Sequence, residues 1–263
     1  MLTIPPTVLI LVDGLRPDAL SVADVPTINK LLQRSVHTFQ ARTVVPSVTL
    51  PCITSIFLGV PPEIHGTLGN YWNSGDWQAP GIIDLVKQFG GKTAAFYNWE
   101  QLRDISRPGS LDISVCLNHA ESHDLPLGES DRQVVEIASP FVLSSHFEFI
   151  FVYLGCLDTA GHRHGWMSTE YLQTLENADL CIGKLLKSVP AAAHVIIASD
   201  HGGHDHAHGS EVPEDMTVPL IISGNKLKPG QLAAPVSVLD IAPTAASLLG
   251  LKAPKEWMGK SLV

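Results

Sequence analysis

Carboxylates and imidazoles recur in this chain at spacings that suit divalent-metal ligation. The densest stretch is Ser199-Asp200-His201-Gly202-Gly203-His204-Asp205-His206-Ala207-His208-Gly209, directly after the apolar run at 195–198. Asp158 and His162 follow the apolar run at 149–155, and Asp13 ends the run at 8–12. Asp158 and His162 are four apart, so one helical turn presents both on the same face. Asp200 and His201 are adjacent and would point to opposite faces of a regular strand. Gly202 and Gly203 behind them let the chain turn and aim both at one ion. Zinc takes imidazole nitrogen and carboxylate oxygen at about 2.0–2.2 Å, and catalytic sites keep one position open for water or substrate. Taken singly, an Asp-x-x-x-His is more often a capped turn and an Asp-His a surface loop. Ligands in open α/β sheets bind beyond the carboxyl ends of the strands. Three such sets, each closing an apolar run, therefore predict one site built from distant parts of the chain.

A nucleophile candidate lies in Val45-Pro46-Ser47-Val48-Thr49-Leu50-Pro51-Cys52-Ile53-Thr54-Ser55. Thr49 precedes a helical pattern (Ile53, Ile56, Phe57) that ends near Gly59. A hydroxyl at a helix N-terminus has backbone N–H groups and the positive dipole end beside it, which suit an anionic phosphoryl group. Capping of that helix by Ser47 or Thr49 is an equally simple reading. A threonine is a poor nucleophile unassisted, but metal coordination favours its alkoxide.

The elements that must position these residues alternate in type. Apolar runs rich in β-branched residues recur at 7–12, 148–154, 194–199 and 218–223, with a weaker one at 92–97. Helical patterns lie between them, around Ile28 to Leu32, Ile82 to Phe89 and Tyr171 to Leu186, with a C-terminal helix over 240–249 closed by Gly250. This predicts an α/β fold, a mostly parallel central sheet with helices on both faces. The turn-rich stretch at 104–130 reads as a surface excursion, and 60–80 as a lid or rim over the pocket. One domain over 1–263 is expected.

Length and composition narrow the partners. A chain of 263 residues with 45% hydrophobic and 16% charged residues supports a large core. A net charge of -9 argues against a nucleic-acid polymer or a membrane as partner, though not against a small anionic substrate at a metal site. Cys52, Cys116, Cys156 and Cys181 show no Cys-x-x-Cys spacing, so free thiols are expected. The apolar run after Pro6 is too short for an export signal or membrane span, which makes a cytoplasmic location the expectation.

Three further segments carry a resemblance. Asp13-Gly14-Leu15-Arg16-Pro17-Asp18, Pro46-Ser47-Val48-Thr49-Leu50-Pro51 and the stretch from Gly59 to Asn70, followed in order by Asp158-Thr159-Ala160-Gly161-His162, Ser199-Asp200-His201-Gly202 and His208-Gly209-Ser210, resemble the alkaline phosphatase superfamily. Within it they are most similar to the type I phosphodiesterase/nucleotide pyrophosphatase branch. The resemblance implies that superfamily's α/β/α sandwich and two divalent metals, Zn²⁺ favoured and Mn²⁺ compatible. It implies Asp13, Thr49, Asp200 and His201 around one metal, and Asp158, His162 and His208 around the other. It makes Thr49 the nucleophile and Asn70 a donor to a phosphoryl oxygen. His208 is chosen over His204 and His206 because it precedes a glycine, as the family's last ligand does. The implied activity is cleavage of phosphodiesters or nucleotide-like esters through a phosphothreonine. Phosphomonoester or phosphonate hydrolysis at the same site is the alternative, and a zinc-binding protein without activity a third reading. Cys52 stands where the family usually has Asn. Thr49 cannot become a formylglycine and no Arg follows Pro51, which disfavours a sulfatase. Tyr71, Trp72, Trp77 and Trp99 are the aromatic residues offered for a base slot.

Overall fold

The computed structural model describes residues 5–71, 79–117, 126–225, 227–233 and 235–263. Eight strands form one sheet: β1 (Thr7–Val12), β2 (Ser35–Arg42), β3 (Thr93–Tyr97), β4 (Ile113–Cys116), β5 (Phe149–Leu154), β6 (His194–Ala198), β7 (Thr217–Ser223) and β8 (Gly230–Gln231). Their spatial order is β4-β3-β5-β1-β6-β7-β2-β8. All neighbours pair parallel except at β7, which runs antiparallel to both β6 and β2. The helices are α1 (Pro26–Leu32), α2 (Thr49–Leu58), α3 (Pro62–His65), α4 (Ile82–Gln88), α5 (Glu129–Ser144), α6 (Cys156–His164), α7 (Thr169–Leu186), α8 (Pro213–Met216) and α9 (Ile241–Leu248).

Side chains alternate across a strand, so each central strand feeds two cores. Leu9, Leu11, Phe151 and Ile196 pack on one face with Phe57 of α2, Ile83 of α4 and Ala245 of α9. Val8, Ile10, Val12, Ile150 and Ile197 pack on the other with Ile28 of α1, Val135 of α5, Leu157 of α6 and Ile182 of α7. This is the doubly covered sheet expected from unbroken apolar strands. The four cysteines form no disulfide.

Strands β2 and β4 depart from the sequence reading. β4 is an edge strand inside the stretch read as a surface excursion. Only Ile113 and Val115 of its four residues turn partly inward, too weak a pattern to read as a strand. β2 was not anticipated either: Ser35-Val36-His37-Thr38-Phe39-Gln40-Ala41-Arg42 has no apolar run, because it pairs with β7 near the sheet's edge and is only half buried. Of the 60–80 rim, residues 72–78 lie outside the described residues, and Trp72 and Trp77 with them. Residues 118–125 of the excursion do so too.

Candidate two-metal site at the carboxyl ends of β1, β5 and β6

β1 lies between β5 and β6 with all three parallel, Val12 beside Leu154 and Leu11 beside Ala198. Their carboxyl ends are therefore neighbours, and each releases its ligand candidates into the same crevice. Asp13 is the first residue past β1. Gly14 follows at φ +70°, which lets the chain turn there, and a Cβ on it would stand 3.1 Å from the Cα of Asp158. α6 begins at the end of β5 and carries Asp158 and His162 one turn apart. β6 ends at Ala198, just before Asp200 and His201.

Two clusters result, each with its ligand-type atoms within 4.8 Å of one another: Asp13, Asp200 and His201, all buried, and Asp158, His162 and His208, more open to solvent. In the first, His201 Nε2 lies 3.2 Å from Asp13 Oδ1, 3.4 Å from Asp200 Oδ2 and 3.1 Å from Thr49 Oγ1. In the second, His208 Nε2 is 3.1 Å from His162 Nε2 and 3.6 Å from Asp158 Oδ1, and His162 Nε2 is 3.4 Å from Asp158 Oδ2.

The tautomers explain why such clusters suit metals. His201 Nδ1 lies 2.7 Å from Gly202 O, His208 Nδ1 2.8 Å from Ser47 O, and His162 Nδ1 2.9 Å from His206 O. A carbonyl only accepts, so each Nδ1 carries the proton and donates it. The Nε2 lone pairs of His162 and His208 are thereby turned toward each other and toward Asp158, and that of His201 toward Asp13 and Asp200. Asp13 Oδ1 and Asp200 Oδ2 are buried without a hydrogen bond. Converging lone pairs and unsatisfied carboxylate oxygens repel in a dry site; a bound cation removes both costs. The donor set, imidazole and carboxylate without thiolate, fits zinc or manganese.

The electrostatics agree. Burial, reinforced by the charge of Asp200, holds the Asp13 carboxyl well above its ordinary range, and burial pushes Asp200 up to about 7. Burial and the neighbouring His201 push His208 down to about 2, so it is a neutral ligand-type imidazole.

Thr49 is the first residue of α2. The N-cap position is Val48, with no side-chain cap bond, so neither Ser47 nor Thr49 spends its hydroxyl on capping. Ser47 Oγ donates instead to Ser210 O at 2.7 Å. Leu50 N–H donates to Asn70 Oδ1 at 2.9 Å, which turns the amide's N–H₂ end outward as a donor. Asp13, Thr49, Asn70, Asp158, His162 and His208 all line one cavity of about 410 Å³. All eight residues singled out in the sequence are thus brought together.

The three loop histidines separate by geometry. His204 Nδ1 bonds Asp215 Oδ1 at 2.7 Å, and His206 Nδ1 bonds His162 O at 3.1 Å, while His208 alone of the three joins the second cluster. Arg16 is ion-paired with Asp18 at 2.6 Å and reaches Gly203 O at 3.1 Å, a structural role.

Sequence reasoning missed two contributors. Tyr153 donates its hydroxyl to Asp13 Oδ2, burial holding that phenol protonated well above its usual range, and its ring stacks on Trp99. It reads as one more apolar residue of the β5 run. Trp166 donates from Nε1 to Gly14 O at 2.9 Å, and its indole fills the space a side chain on Gly161 or Gly203 would need, 2.6 and 2.2 Å from the Cβ positions. The glycine spacing around the ligands was the available signal for such a close approach.

The family model "Type I phosphodiesterase / nucleotide pyrophosphatase" matches residues 7–216. A 2,3-bisphosphoglycerate-independent phosphoglycerate mutase of Methylobacillus flagellatus is 32% identical over 212 residues, which are 77% of this chain and 39% of that protein. The catalytic subunit of human GPI ethanolamine phosphate transferase 2 is 26% identical over 99% of this chain and 28% of its own length. Ectonucleotide pyrophosphatase/phosphodiesterase family member 3 of Mus musculus is 25% identical over 76% of this chain and 25% of its own length. The chain thus spans well under half of these relatives. Among solved structures, murine ectonucleotide pyrophosphatase/phosphodiesterase 5, an inactive threonine-to-alanine variant in complex with AMP, superposes with a TM-score of 0.79 at 15% identity, covering 95% of this chain and 96% of that one. A 2-O GAG sulfatase gives 0.75 at 16% identity, covering 98% and 73%.

Proposed function

The chain belongs to the type I phosphodiesterase/nucleotide pyrophosphatase family, and from that membership we propose that it cleaves small phosphodiester or nucleotide-like esters through a phosphothreonine at Thr49. The observation that carries the reading is the hydroxyl of Thr49 at the head of α2, 3.1 Å from His201 Nε2 and in one cavity with Asp13, Asp158, His162 and His208. Asp13, Asp200, His201 and Thr49 would hold one divalent metal, and Asp158, His162 and His208 the other. Bound there, the metals supply Lewis acidity that favours the threonine alkoxide and stabilises the leaving oxygen. Thr49 Oγ1 attacks phosphorus while the ester oxygen departs. The Asn70 N–H₂ group and the N–H groups at the start of α2 stabilise charge on the remaining oxygens. Water then cleaves the phosphothreonine and restores the hydroxyl. AMP in the structural neighbour and the family's description support a nucleotide-like substrate.

The test is elemental analysis of metallated protein together with hydrolysis of bis-p-nitrophenyl phosphate against p-nitrophenyl phosphate. Two metals per chain and faster diester cleavage are expected; fewer than two metals, or no cleavage of either ester, overturns the reading. Asn70→Ala is expected to lower kcat by about 10²–10³ with metal content unchanged, since it removes one donor to the developing charge. Near-wild-type turnover would remove Asn70 from the reaction.

One observation favours the second reading, a phosphomonoesterase or phosphonate hydrolase. Thr159 and Arg163 stand one turn apart on α6, beside the Asp158–His162 row, and both line the cavity. A guanidinium there can meet the extra charge of a monoester. Arg163→Gln then costs monoester turnover about tenfold more than diester turnover, the size of one lost charge-assisted hydrogen bond; equal losses for both esters remove this reading.

A further inference from the structure

The His-rich segment 201–210 is held from inside by one residue. Asp215, at the start of the return to β7, is fully buried. Its Oδ1 accepts from His204 Nδ1 at 2.7 Å, and its Oδ2 accepts from Ser210 N–H at 2.9 Å and Ser210 Oγ at 2.7 Å. Its backbone carbonyl accepts from Gly202 N–H at 2.9 Å, and Glu214 O accepts from Gly203 N–H at 2.9 Å. A single carboxylate thus ties both limbs of the segment, His204 on the outgoing side and Ser210 on the returning side. Between those ties a tight turn pairs His204 with Ala207. His208 stands two residues from the Ser210 tie, with its Nδ1 on Ser47 O and its Nε2 toward Asp158 and His162. Ser47 Oγ donates to Ser210 O, so the contact that orients the His208 ring depends on the same anchored stretch.

We propose that Asp215, acting through His204 and Ser210, is the positioning residue that places His208 and thereby sets the metal affinity of the Asp158–His162–His208 cluster. The proposal rests on the two-metal reading of that cluster. Asp158 and His162 are placed by the α6 helix, with His162 Nδ1 also donating to His206 O. His208 sits on a loop with no ladder of its own beyond the His204–Ala207 turn; its ring stacks on His201 and meets the edge of Trp166, while its backbone is placed by these anchors. The first cluster takes its ligands from Asp13 after β1 and from Asp200 and His201 after β6; the tie there is the backbone bond from Gly202 N–H to Asp215 O, which does not use the Asp215 side chain, so the effect is selective. Partners that orient a metal ligand typically change affinity by about 10–100-fold when removed.

The experiment is zinc titration of the whole chain against a competing chelator, for wild type, Asp215→Ala, His204→Ala and, as the reference lacking the second site, Asp158→Ala. Thermal denaturation with and without zinc accompanies it. Wild type is expected to show two affinities. Asp215→Ala is expected to lose one of them by about 10–100-fold, the same one that Asp158→Ala abolishes, and to keep the other. His204→Ala, whose side chain is 39% exposed, is expected to weaken the same affinity by a smaller factor. It keeps the test open should Asp215→Ala fail to fold. A merely structural role would lower the metal-free melting temperature and leave the zinc-induced rise intact; here the zinc-induced rise itself shrinks. Two unaltered affinities in the Ala variants overturn the proposal while leaving the two-metal reading in place. A wild-type chain that binds fewer than two zinc ions overturns that reading, and this proposal with it.

Discussion

Thr49→Ala is expected to lower turnover of bis-p-nitrophenyl phosphate by about 10⁴-fold or more, the scale of losing a covalent nucleophile, while both metals stay bound. The expectation follows from the division of labour in the site. Asp13, Asp200 and His201 form the first cluster without help from the hydroxyl. The backbone of α2 does not need the side chain either, because Val48 rather than Thr49 occupies the N-cap position. Removing Oγ1 therefore deletes the attacking atom and little else. Mass spectrometry of wild type quenched during turnover is expected to show phosphate on the peptide containing Thr49, absent from the variant. A variant that keeps its metals and still turns over at a hundredth of the wild-type rate would mean that water, not Thr49, attacks phosphorus.

Asp200→Asn is expected to abolish binding at the first cluster and, in metal-free protein, to raise stability. In the native chain Asp13 and Asp200 are both fully enclosed, each with one oxygen lacking a hydrogen bond. An asparagine keeps an oxygen to accept from Gly14 N–H, as Asp200 Oδ1 does at 3.3 Å. Its N–H₂ group would then donate to the orphan oxygen of Asp13. One buried charge disappears and two polar groups become satisfied. Exchanges that relieve buried charge are worth about 1–4 kcal/mol, and near 2 kcal/mol the metal-free melting temperature should rise by roughly 4–8 °C at this chain length. The zinc-induced rise should fall to that of the second cluster alone. If metal-free Asp200→Asn melts below metal-free wild type, the two carboxylates are not in conflict, and the argument that they await a cation fails.

How far the sequence discloses this site depends on where each residue stands relative to the strands. Asp13, Asp158 and Asp200 were legible because each closes an apolar run, and runs of that kind become the adjacent strands β1, β5 and β6. Asp158 and His162 were legible as a pair because a spacing of four has one meaning on a helix, and α6 is that helix. The outer strands were not: β2 is half buried and β4 only partly buried, so neither shows the unbroken apolar pattern of the centre. α5 escaped as well, with Pro140 inside it and a polar exposed face. The roles of Tyr153 and Asp215 depend on contacts across 140 residues in one case and on the path of an irregular loop in the other, and no local pattern encodes either. His204, His206 and His208 are indistinguishable by type; only their Nδ1 partners separate them.

Trp166 joins the three ligand-bearing segments: it bonds Gly14 O, and its ring occupies the side-chain space of both Gly161 and Gly203. For a lineage descending from this chain, those positions form a single heritable unit. A larger residue at Gly161 or Gly203 collides with the indole, and a smaller residue at Trp166 opens a void beside His162 and His208. Each one-step path out of the combination crosses a low-fitness intermediate, so these three positions can be expected to change together or not at all. Divergence in substrate choice is left to the cavity wall, where Trp99, Thr159 and Arg163 stand outside that unit and can vary singly.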